Sequence, residues 1–168
     1  MPRVSFDDLP DHGRLWIFPA QRALDATEAQ ALLEAVDDFL GGWAAHGHPL
    51  QSARSLQASQ FLVVGVDEDV EAPSGCSIDA LVNRLRALGD DLGVKLIDHG
   101  PVWFRDGDEV RTVPRGHFKA LVADGAVDPG TVVFDTTLTR VGDFRGGALE
   151  RSASESWHAR AFFGEGGA

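Results

Sequence analysis

Phe61-Leu62-Val63-Val64-Gly65-Val66, followed after a short polar link by Ser74-Gly75-Cys76-Ser77-Ile78-Asp79, decides how the chain is read. The first run is an apolar strand. The second opens a helix, predicted over 77–92, that puts Ile78, Leu81, Val82, Leu85, Leu88 and Leu92 on one face. Gly93 is a natural C′ residue and closes it. Upstream, residues 50–57 and 59–66 suit two strands, the first polar enough for an edge. Arg14-Leu15-Trp16-Ile17-Phe18 is a further short strand, stopped by Pro19. Asp25 with Glu28 three residues on forms a capping box. The helix behind it buries Leu32, Leu33, Val36, Phe39, Leu40 and Trp43 and is expected to end near Gly47. Val94-Lys95-Leu96-Ile97 supplies a last strand. The order β-α-β-β-α-β over residues 13–100 predicts a ferredoxin-like sandwich, two helices covering a four-stranded antiparallel sheet.

Residues 101–163 are expected to form a ββαβ unit packed on it, which makes the fold class α+β. Asp106-Gly107 is a strong hairpin turn between 102–105 and 109–113. A short helix follows with Phe118, Leu121 and Val122 inward, then Asp128-Pro129-Gly130 turns the chain into Thr131-Val132-Val133-Phe134. Residues 142–156 read as an irregular loop, and 156–162 as a docking segment. Residues 1–12 read as a loose leader and 164–168 as a frayed tail.

Composition narrows the function. The 168 residues carry a formal charge of −11, with 26 acidic against 15 basic side chains and no basic cluster. Nucleic acids and anionic membranes recruit through clustered Lys and Arg, so neither is expected as a partner. The Asp-rich, Lys-poor balance fits either adaptation to high salt or a GC-rich genome. One cysteine excludes an internal disulfide and an all-cysteine metal site. The acidic start, lacking a signal-peptide pattern, places the protein in the cytoplasm. No motif implies a cofactor.

Four runs are familiar when read together: Leu15-Trp16-Ile17, Trp43-x-x-His46-Gly47, Ser74-Gly75-Cys76-Ser77-Ile78-Asp79 and Ser156-Trp157-His158-Ala159-Arg160. Over about residues 13–162 they resemble a family of small bacterial proteins commonly labelled "ABC transporter ATPase". The chemistry of that label needs a phosphate-cradling loop ending in Lys-Ser or Lys-Thr. Neither Lys95 nor Lys119 has such a setting, and ATPase activity is not expected. Residues 102–134 resemble GYF-like interaction modules, departing from them in having no tyrosine and Phe144 in place of a downstream tryptophan.

Cys76 is the first candidate site. In the first turn of a helix a thiol meets unpaired N–H groups and the positive end of the dipole, which favour thiolate. The alternative is a small buried apolar residue. Gly75, Ser74 and Ser77 leave room and donors for a ligand, and Asp79 lies within a turn, placed to complete the cap or orient a histidine. A nucleophilic thiol needs a base, for which His46 and His158 are the candidates. His46 reads equally as a helix C-cap, and His158 as an interface residue. His46 and His48 have no third ligand at metal spacing, so no metal is expected, and His12, His99 and His117 look incidental. Trp103 and Trp157, if exposed, make an aromatic platform, with Arg54, Arg105 and Arg160 to hold an anionic group. Two functions follow. One is a binding module for a small molecule, protein or peptide, with its groove near Cys76 and Trp157 and with a homodimer through the sheet face as an option. The other is a thiol enzyme or redox sensor with Cys76 as nucleophile.

Overall fold

The computed structural model describes residues 2–164, and the fold is mixed α+β. The first half runs β1 (Arg14–Pro19), α1 (Ala26–Gly42), β2 (Ala44–Ala45), β3 (His48–Pro49), β4 (Ser52–Gln57), β5 (Phe61–Val66) and α2 (Gly75–Leu92). β1, β5 and β4 form an antiparallel sheet in that order, with Leu15 opposite Gly65 and Ala53 opposite Gly65 on the other side. Every residue of β5 is buried because the sheet is covered on both faces. Leu62, Val64 and Val66 meet Leu32, Val36 and Leu40 of α1 and Leu81 and Leu85 of α2. Phe61 and Val63 face the opposite way, against Trp103 and Phe134, with Phe61 stacked on Phe134 at 4.5 Å.

Both long helices start where side chains satisfy their first amides. Asp25 accepts from Glu28 N–H and Glu28 from Asp25 N–H. Arg22 grips the same Glu28 carboxylate and, with the Asp25 amide, holds it down to about 2. Ser74 and Ser77 close the equivalent box on α2. Asp79 takes no part in that cap. Gly93 ends α2 at φ 70°, a left-handed conformation that suits glycine.

Three expectations are corrected here. Val94–Ile97 is not a strand. Val94 N–H bonds back to Gly89 C=O, whose residue has no side chain because a Cβ there would stand 2.6 Å from the Val94 carbonyl. Val94 and Leu96 are buried alternately, as in a strand, but no ladder forms. α1 ends at Gly42 rather than near Gly47; Trp43 caps it, and His46-Gly47, with φ 52° and 78°, form the two-residue turn of the β2–β3 hairpin. His46 is therefore no helix cap. Residues 1–12 are not a loose leader. Within the described part, Val4, Phe6 and Leu9 pack against the β1–β5–β4 face, and Leu9 occupies the space a side chain at Gly65 would need. Arg145 pins this segment by donating to Phe6 C=O, Asp7 C=O and Asp11.

The second half runs β6 (Val102–Asp106), β7 (Glu109–Val113), α3 (Arg115–Ala123), β8 (Val132–Phe134), α4 (Val141–Arg145), β9 (Glu150–Ser152) and α5 (His158–Phe162). Its sheet has the order β7-β6-β8-β9, all pairs antiparallel. Residues 142–156, expected as an irregular loop, thus contain part of α4, the strand β9 and a short 3-10 turn. Beneath this sheet, Phe118 joins Phe104, Val102 and Val133 in a third cluster that Phe162 and Phe163 help to close. The expected frayed tail lies outside the described residues, apart from Gly164. Among the described residues no helix is long and apolar enough to cross a membrane. The face of the first sheet that was expected to carry a homodimer is covered by the chain's own second half.

Candidate functional site

β1 stands at the end of the β1-β5-β4 order, and its outer edge has no neighbouring strand of that sheet. At the near end that edge is occupied: Leu15 N–H donates to Thr139 C=O at 2.9 Å, Val141 N–H to Gly13 C=O, and Arg14 forms a bridge with Arg140. Alternate residues of an antiparallel strand turn both N–H and C=O to the same side. Leu15 is turned away from β5, so Ile17 is too, while Trp16 and Phe18 bond to β5. Beyond Leu15 the edge opens into a groove of about 540 Å³. One wall is β1 from Arg14 to Phe18, the second is Val82 and Arg86 of α2 with Ile97 and His99, and the third is Thr136-Thr137-Leu138-Thr139. The Arg14 guanidinium lies 4.9 Å above the Trp16 ring. Arg86 donates to Asn83 on its own helix. His99 Nδ1 is 3.0 Å from Thr136 Oγ1, and burial lowers its pKa. A second depression, of about 550 Å³ at the C-terminal end of α2, adjoins the groove through Arg86 and Ile97.

Cys76 and His46 come together at another place. With Ser74, Ser77, Phe39 and Trp43 they line a shallow depression of about 440 Å³ between the end of α1 and the start of α2. Trp43 Nε1 donates to Ser77 C=O at 2.8 Å and fixes that corner. Cys76 is exposed, not core. Gly75 is exposed beside it, and Asp79 is exposed, with no hydrogen bond to its carboxylate among the described residues.

The other sequence candidates lie elsewhere. His158 is buried under Trp157, stacked at 3.9 Å, with Nδ1 2.8 Å from Ser156 Oγ. Desolvation lowers its pKa to about 4. It belongs to the α5 cluster with Phe162, not to the Cys76 depression. Trp157 is half-buried with Arg115 over its ring, and Arg160 is exposed. Trp103 offers no platform, being 1% exposed with its Nε1 bonded to Ala20 C=O. Arg54 and Arg105 are not open to an anion, because each already forms a two-point pair, with Asp37 and Glu150. Trp157 lines neither the Cys76 depression nor the β1 groove. Among the described residues no cluster of three His, Cys, Asp or Glu is placed to hold a metal.

Sequence reasoning missed the β1 groove. One signal for it was present: from Thr136 to Gly142 an acidic chain carries no acid, between Asp135 and Asp143. No family model, curated protein or solved structure matches this chain.

Proposed function

We propose that the chain is a binding module that takes an extended polypeptide segment along the free edge of β1. In this reading the first half is a ferredoxin-like sandwich whose fourth-strand position is left to the ligand. The supporting observation is the Ile17 backbone, turned into an open groove where a fourth strand would otherwise pair. Strand addition uses such unpaired main-chain groups for affinity and side-chain pockets for specificity. The test is selection from a random-peptide display library, followed by residue-level amide exchange. Selected peptides are expected to slow exchange at Ile17. A library that yields no binder, or binders that protect only other amides, rejects the proposal.

A second reading has its own observation. Cys76 is exposed and shares a depression with His46, the arrangement a thiol nucleophile and its base require. It is tested by the alkylation rate against pH for the native chain, the denatured chain and His46→Gln. A native rate that follows the denatured chain at every pH, unmoved by His46→Gln, removes this reading.

A further inference from the structure

Resting on the strand-addition reading, we infer that the segment bound along β1 is acidic, its carboxylates gripped by Arg14 and Arg86. The chain has 26 acidic side chains, yet none lines the β1 groove, whose charged residues are these two arginines. The adjoining depression does carry Asp90 and Asp98, so the acid-free stretch is confined to the open strand edge. Five of the thirteen arginines pair with carboxylates: Arg22 with Glu28, Arg54 with Asp37, Arg105 with Glu150, Arg111 with Asp106 and Arg145 with Asp11. Neither Arg14 nor Arg86 has a carboxylate partner among the described residues. Arg14 also stands directly opposite Arg140 across the bridge, a like-charge placement that is unfavourable unless something anionic lies close.

The spacing suits an extended ligand. Such a chain turns every second side chain to one face, about 6.6 Å apart. Arg14 and Trp16 sit two apart on β1 and turn toward α2, where Val82 and Arg86 are one turn apart. A ligand strand that pairs at Ile17, past the position Arg140 holds opposite Arg14, thus runs along the wall that carries Arg86 and reaches Arg14 at its end. The net charge of −11 repels an acidic segment at long range, but that repulsion is screened beyond about 8 Å at physiological salt. Contact with two guanidinium groups survives, because charge-assisted hydrogen bonds act at short range.

The experiment measures binding of three fluorescein-labelled decapeptides by anisotropy at about 0.15 M salt. They alternate valine with glutamate, with glutamine or with lysine. The glutamate peptide is expected to bind about tenfold more tightly than the glutamine peptide. The variant Arg14→Ala with Arg86→Ala is expected to erase that ratio. Should the double variant fail to fold, Arg86→Gln alone, at an exposed position of α2, is expected to reduce the ratio. Equal affinity for the glutamate and glutamine peptides overturns the acidic preference and leaves the groove reading standing. Binding of no peptide overturns both. Competition by inorganic phosphate that abolishes glutamate-peptide binding makes this a small-anion site and overturns the peptide ligand. Sedimentation showing a dimer that excludes all three peptides assigns the edge to a second copy, and also overturns it.

Discussion

Trp103 Nε1 donates to the Ala20 carbonyl at 2.9 Å, and the same carbonyl accepts from Gln60 Nε2 at 3.0 Å. The end of β1, the β4–β5 turn and strand β6 therefore meet at one buried oxygen. Trp103→Phe keeps most of the ring contact with Phe61 and removes the donor. The expected loss is about 1–2 kcal/mol of unfolding free energy. Trp103→Ala is expected to cost about 3–5 kcal/mol, since it also opens a cavity. Urea denaturation checks both; a neutral Trp103→Phe would show that the hydrogen bond contributes nothing net.

His158 makes stability depend on pH in a definite direction. Its folded pKa, about 4, lies below the ordinary 6.5, so the unfolded chain binds more protons between those values. The contribution is complete above about pH 6.5 and is lost as pH falls toward about 4, amounting to about 2–3 kcal/mol. Burial of His99 acts in the same direction. Glu28 works in a lower window: its carboxyl, held to about 2 against 4.5, adds stability that disappears only as pH falls through that interval. Unfolding free energy measured from pH 7 to 4 is expected to decline, and His158→Gln to flatten the decline. An unchanged slope in His158→Gln would place the titration elsewhere.

Leu9 and Gly65 are expected to be coupled. Leu9 is 2% exposed, and a Cβ at Gly65 would lie 2.6 Å from its Cδ1. Leu9→Ala should cost about 2–4 kcal/mol and Gly65→Ala about 1–3 kcal/mol. The double variant should cost less than the sum, because the smaller residue at 9 makes room for the methyl at 65. Strict additivity, read from chemical denaturation, would mean that the two sites relax independently.

Cys76 should react with a thiol reagent in the native protein, one equivalent per chain, without prior unfolding, because its side chain is exposed. Protection until denaturation would contradict the exposed placement.

Much of the fold was legible where local chemistry and periodicity agree. The Asp25–Glu28 box, the α2 stripe, the Asp106-Gly107 hairpin and the apolar run of β5 each carry their own signal. Val94–Ile97 misled because alternating burial looks the same whether or not a partner strand is present, and the near end of its partner edge, at residues 13–15, is taken by residues 139–141 from far along the chain. β9 was hidden because a three-residue strand of Glu, Arg and Ser has no apolar alternation. The leader's burial depends on a vacancy at Gly65, which sequence distance conceals. For the site, Cys76 and His46 are singled out by the sequence, and the structure places them in one depression. The β1 groove was missed because its walls come from residues far apart in the chain, and the acid-free run 136–142 is its one local signal.

The central strand β5 has a consequence for how the molecule comes apart. Its two faces feed two different cores, one closed by α1 and α2, the other by Trp103 and Phe134. A cut near residue 100 would leave the first fragment with an apolar face open to water and the second without the wall against which its tryptophan folds. Neither fragment inherits a finished interior, so the halves are expected to melt as one and to be inherited as one. The boundary between them belongs to the order of the elements, not to the unit that folds.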